Sequence, residues 1–148
     1  MFSRVASQKQ AAKNERRDAT YDFGTNPCSE IILRPNQFCN LSEVVVRSTD
    51  TLSSLKRKVR VASILGTLQA TLTDFRYLRK VWQKNTEEEA LLGVSLTGIM
   101  DHPVMSGREN SEELKDWLVA LKETAISTNA EWSQRLGINL STAITAVK

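Results

Sequence analysis

Asn26-Pro27-Cys28-Ser29-Glu30-Ile31-Ile32-Leu33, then Gln37-Phe38-Cys39-Asn40-Leu41 and Glu43-Val44-Val45-Val46-Arg47, is the stretch on which the reading of this chain turns. It contains both of the chain's 2 cysteines. An amide, a thiol and a carboxylate alternate at positions 26, 28 and 30. On an extended segment alternate residues point to one side. Asn26, Cys28 and Glu30 are therefore expected to face one pocket, as a hydrogen-bonding amide, a sulfur centre and an acid/base. The competing reading is a small buried hydrophobe beside a solvated glutamate, the usual condition of a single cysteine.

The apolar runs on either side read as strands. Ile31-Ile32-Leu33 is a short buried one, stopped by Arg34-Pro35-Asn36. Glu43–Arg47 is a second, rich in β-branched residues. Proline at 27 pushes Asn26 toward extended geometry. Upstream, residues 3–17 have helix-forming composition with a weak apolar stripe, so an exposed basic helix is expected. It serves either as a solvated terminus or as a docking element. Arg4, Lys9, Lys13, Arg16 and Arg17 face only Glu15 there.

Downstream, Ser48-Thr49-Asp50-Thr51 offers N-caps. Leu52, Leu55, Val59, Ala62 and Leu65, with Val61, Ile64, Leu68 and Leu72, predict a helix over about 51–75 buried on two sides. Lys56, Arg57, Lys58 and Arg60 read as its solvated face. Phe75–Lys84 mixes aromatics with cations, which suits either base stacking or a packing edge with snorkelling side chains; the packing edge is favoured. Thr86 with Glu89 in capping-box register predicts another helix, burying Leu91, Leu92, Val94, Leu96, Ile99 and Met100 and ending at His102-Pro103. A loop over 104–110 leads to a long helix from about 111 to 136, capped by Asn110 or Ser111 and stopped by Gly137. Ala143–Val147 reads as a last strand.

Composition sets limits. With 148 residues, 41% hydrophobic and 25% charged, the chain fits one domain or part of one. A net charge of +3 permits an anionic ligand such as a nucleotide without arguing for nucleic-acid binding. No apolar run is long enough to span a bilayer, and residues 1–20 do not resemble a secretory leader, so a reducing cytoplasm and reactive thiols are expected. Two cysteines and the distant His102 make no zinc site, which needs four ligands. No phosphate loop follows Gly93 or Gly98. His102 follows Asp101, but nothing marks a nucleophile elbow. Helices between strands give an α/β class. Three short strands cannot close a barrel, so a piece of a larger α/β enzyme is expected. Its parts are a basic lead-in (1–20), a loop with strands (21–47), a helical region (48–142) and a strand (143–148).

The segments Gly24–Ile31 and Phe38–Val44 resemble the active-site segment of ribonucleotide reductase large subunits. The eleven-residue step from Cys28 to Cys39 resembles the adenosylcobalamin-dependent class; the iron-dependent class has a longer gap. Leu91–Pro103 resembles that class too, and Ala143–Lys148 resembles the strand before its Pro-Ser-Gly-Thr phosphate loop. The resemblance runs from about Lys9 onward. Within the class it is to the monomeric triphosphate reductases.

The resemblance implies a ten-stranded α/β barrel with a central finger loop, Cys28 at its tip. Cys28 would become the thiyl radical that removes the ribose 3′ hydrogen. Glu30 would be the general base, Asn26 would hold the sugar, and Cys39 would be half of the reducing dithiol. Asn26, Ser29 and Glu30 would contact substrate. Adenosylcobalamin, a ribonucleoside triphosphate and a thioredoxin-like reductant are the implied cofactor and partners, with no membrane and no nucleic acid. The product would be deoxyribonucleotides for DNA synthesis. The thiol partner of Cys39, the C-terminal relay cysteines, the phosphate loop, the allosteric site and most of the cobalamin site would lie outside these residues. Ser29 stands where the family often has glycine. The chain is thus expected to be inactive alone and to need the missing reductase segments. The alternative is a non-catalytic remnant or assembly module that binds another reductase piece through its basic helix and sheet edges.

Overall fold

The computed structural model describes residues 3–145. Ser3 starts α1 (Arg4–Ala11), its hydroxyl accepting from Ala6 N. The helix is shorter than its composition suggests: its only buried residues are Ser7 and Ala11, and nothing apolar extends the buried face. Beyond it the chain turns inward. Arg4, Lys9 and Lys13 stay exposed, but Arg17 is buried, so the expected all-exposed basic lead-in ends before Arg17.

A small antiparallel hairpin follows, β1 (Gly24–Thr25) against β2 (Ile32–Leu33), with Gly24 opposite Leu33 and Thr25 opposite Ile32. The main sheet is parallel throughout, in the order β3 (Asn40–Val45), β4 (Leu92–Thr97), β5 (Ile144–Thr145). Residues 146 and 147, expected to extend the last strand, lie outside the described residues. Parallel neighbours need long crossovers. Here they are α2 (Leu52–Gln69) with α3 (Lys80–Glu89), and then α4 (Ser111–Leu136).

The caps of α2 and α4 behave as the sequence predicts. Thr51 and Ser54 form a reciprocal capping box on α2. Asn110 Oδ1 accepts from Glu112 N and Glu113 N at the start of α4, and Gly137 closes it at φ 67°.

Period-two alternation divides the main sheet. Val44, Val46, Leu92, Val94 and Leu96 are buried in one core with Leu55, Val59 and Ala62 of α2 and Leu121 and Ala125 of α4. Fully burying each large side chain there contributes about 1.5–3 kcal/mol. Helix and sheet come closest at Gly66, where a Cβ would overlap Leu92 Cδ1.

Two expectations are corrected. Residues 86–103 are not one helix. α3 ends at Glu89, Ala90 takes a left-handed conformation (φ 42°), and Leu92–Thr97 is the central strand. Thr86 lies in the last turn of α3 rather than at a cap; its Oγ1 accepts from Phe38 N. Leu91, Leu92, Val94 and Leu96 are buried as expected, while Met100 is exposed. Nor is α2 buried on two sides among the described residues: Val61, Leu65 and Leu68 are exposed, and Leu72 lies beyond its end and is also exposed. No helix among the described residues is long and apolar enough to cross a membrane.

Candidate active site on the Cys28 hairpin

The hairpin turn is built by Asn26. Its carbonyl accepts from Ser29 N at 3.0 Å, and its side-chain Oδ1 accepts from Ile31 N at 3.3 Å. An asparagine that bonds its own backbone a few residues on makes a turn rather than a strand. Ser29 sits at φ 61°. The expected extended run with 26, 28 and 30 on one side is therefore corrected to a tight turn. Cys28 and Ser29 are exposed at the tip, and Asn26 and Glu30 are half-buried at its shoulders. Thr25 and Ser29 hydroxyls stand 3.5 Å apart across the turn.

Glu30 links the hairpin to the main sheet. It lines a cleft of about 210 Å³ with Leu41, Glu43, Gly93, Ser95 and Thr145, the side of the sheet that α2 and α4 do not cover. It also borders a larger cleft of about 820 Å³ against α4 and the N-terminal segment. Its Oε2 is buried and has no hydrogen-bond partner. Gly93 lets Leu41 lie across the sheet there, since a Cβ would meet Leu41 Cδ2.

Both cysteines are free, Cys28 exposed and Cys39 half-buried. Burial pushes the Cys39 thiol up from its ordinary pKa, and the nearby Glu30 carboxylate pushes it further. Cys39 and Glu30 are thus electrostatically coupled, and Cys39 is held as the neutral thiol. Cys39 opens on a separate groove with Phe75 and Leu72.

A group that the sequence did not flag supports the hairpin. Arg17 and Arg34, both buried, meet buried Glu89 at the end of α3. Arg17 makes a two-pronged contact, Nε to Oε1 at 2.9 Å and Nη2 to Oε2 at 2.7 Å. Gln37 Nε2 donates to Oε2 at 2.7 Å. The available signal was weak: charges abutting apolar runs, Arg34 after Leu33 and Glu89 before Ala90-Leu91-Leu92.

His102 is structural. Nε2 lies 2.9 Å from Asp50 O and so donates to it, while Nδ1 accepts from Met105 N at 3.1 Å. Phe38 packs on Phe75 and Trp82 with ring centroids 5.1 and 4.7 Å apart, as a packing edge would. Among the described residues no group of three or more His, Cys, Asp or Glu could hold a metal ion.

No protein-family profile matches the chain, and no solved structure does. Two curated proteins match. The adenosylcobalamin-dependent ribonucleoside-triphosphate reductase of Lactobacillus acidophilus is 30% identical over 150 aligned residues, 84% of this chain and 20% of the relative. The protein of that name from Lactobacillus gasseri matches with the same identity and coverage. The chain thus spans 20% of the length of the curated relatives it matches. Over most of its length this chain is a homologue of a segment of the adenosylcobalamin-dependent ribonucleoside-triphosphate reductases.

Proposed function

We propose that this chain is the segment of a ribonucleoside-triphosphate reductase that presents the radical cysteine, and that it turns over ribonucleotides only together with the remaining segments. The observation behind this reading is the hairpin itself, with Cys28 exposed at its tip and Glu30 beside it over the bare face of a parallel sheet. That sheet, with its helices on the other face, suits one part of a ten-stranded α/β barrel closed around the hairpin.

The chemistry follows from the side chains. Cys28, as a thiyl radical, takes the hydrogen from C3′ of the ribose. The S–H bond formed is close in strength to the C–H bond broken, so the step reverses at the end of turnover. Glu30, which lines the cleft over the open face of the sheet, takes the proton of the 3′-hydroxyl. The 2′-hydroxyl then leaves as water. Cys39 and a second thiol outside this chain supply two electrons and two protons and end as a disulfide. The raised pKa of Cys39 keeps it in the thiol form that donates hydrogen. Asn26 and Ser29 lie on the same turn, where they would meet the sugar.

The adenosylcobalamin named for the relatives would supply the radical. We place most of its site in other segments of the enzyme.

The test is ribonucleotide reduction with adenosylcobalamin and a dithiol, using this chain mixed with polypeptides that supply the flanking segments. Turnover that needs the flanks and disappears in Cys28→Ala supports the proposal; turnover by the chain alone overturns it. A second reading, an assembly module without chemistry, is favoured by the exposed apolar residues Val61, Leu65 and Leu68 on α2. It predicts an assembled but inactive mixture.

A further inference from the structure

We infer that Glu89 is a positioning residue that sets where the Cys28 hairpin points. The hairpin has only two residue pairs and no core of its own, and such a ribbon is marginal without outside support. Phe23 and Ile31 give it apolar footing at the base. Its direction comes from one carboxylate. Glu89 Oε1 and Oε2 bind Arg17, and Arg17 Nη2 also donates to Ile32 O on β2 at 2.9 Å. Gln37 donates to Glu89 Oε2 while its own Oε1 accepts from Arg34 N at 2.8 Å, directly after β2. Arg34 Nη2 donates to Asn85 O at 3.0 Å and Nη1 to Glu88 at 2.9 Å, both on α3. On its backbone side Glu89 O accepts from Thr142 N at 2.9 Å, two residues before β5, and β4 begins three residues after Glu89. One residue thereby ties the β2 end of the hairpin to the strands β4 and β5.

A greasy cluster of equal volume would hold these segments together as strongly, because ion pairs in a protein interior often break even against apolar packing. What it lacks is direction. Forked charge-assisted bonds fix angle as well as distance, and a radical thiol must meet one hydrogen of a bound sugar within tenths of an ångström. This function of the anchor rests on the reading of Cys28 as the reacting thiol; the anchoring itself does not.

The test therefore measures position and turnover separately. A nitroxide is attached to Cys28 in the full chain carrying Cys39→Ala, and a control label is placed on the exposed face of α4 in Glu123→Cys with both native cysteines replaced. In Glu89→Gln, and in the milder Arg34→Lys, the ratio of mobile to immobile spectral components at Cys28 should rise about tenfold, the effect of losing one charge-assisted hydrogen bond. The label on α4 should not change. An unchanged Cys28 spectrum in both variants overturns the inference. Equal mobilisation at both labels also overturns it, since that is a staple of the whole fold. In the reconstituted mixture, Glu89→Gln should lower turnover with little change in KM. If Cys28→Ala mixtures prove as active as the parent, the reductase reading falls while the label result still decides the anchor.

Discussion

The two faces of the parallel sheet are made by the same three strands and do opposite work. Residues 44, 92, 94 and 96 are sealed under α2 and α4. Their neighbours Leu41, Glu43, Val45 and Thr97 stand exposed, and Glu30 of the hairpin shares a cleft with Leu41 and Glu43. Stability is concentrated where apolar side chains meet two helices. The exposed Cys28 and the polar groups around it lie away from that packed core. The Cys28 hairpin, with little core of its own, is joined to the stable half through Arg17, Arg34, Gln37 and Glu89.

The sharpest way to break this comparison is to truncate a leucine on each face. Leu55→Ala, at a fully buried position, should cost about 3 kcal/mol. Leu41→Ala, 49% exposed, should cost less than about 1 kcal/mol. Equal losses in urea unfolding would mean that the open face is covered in solution. The two glycines give a finer version. Gly66→Ala drives a methyl into buried Leu92 and should cost about 1–3 kcal/mol. Gly93→Ala meets Leu41, which is free to swing toward solvent, and should cost clearly less in the same titration.

A smaller effect tests the end of the packed face. Burial pushes the Asp50 carboxyl up, but hydrogen bonds from Lys58, Ser54 and Arg47 N outweigh it and bring the pKa to about 2. A carboxyl with a depressed folded-state pKa stabilises fully above its unfolded value. Its contribution should therefore be intact above about pH 4 and vanish as pH falls toward 2. Asp50→Asn should flatten that part of the thermal-stability profile; an unchanged profile would refute the assignment. The smallest effect belongs to the hairpin tip. Ser29→Gly removes a side chain from a left-handed position and should raise stability by a few tenths of a kcal/mol at most, because glycine also frees the unfolded chain. A clear loss in calorimetry would mean that the hydroxyl beside Thr25 matters.

Much of the helical structure was legible because it is local. Thr51 and Asn110 cap within three residues, Gly137 ends α4 by its own backbone freedom, and the stripes of α2 and α4 repeat at helical spacing. The Asn26, Cys28, Glu30 and Cys39 pattern was also legible, as residue types at a spacing. Its geometry was not: Asn26 spends its side chain on the turn, so the three groups are spread round a tip instead of aligned on a strand. The central strand was misread because Thr86 and Glu89 imitate a capping box. β4 pairs with partners such as Asn40 opposite Leu92, about fifty residues away.

By itself, the sequence determined α4 with both its ends, the start of α2, the α/β class and the kinship with the reductases, because caps, periodicity and motifs are written in neighbouring residues. Only the tertiary structure decided that Leu92–Thr97 is a strand, that α2 keeps one flank bare, and that Arg17, Arg34 and Gln37 converge on Glu89 across up to 72 residues. A strand needs hydrogen-bonding partners from elsewhere, and a buried charge is tolerable only where the fold brings its counterion. Neither condition is a property of the local chain.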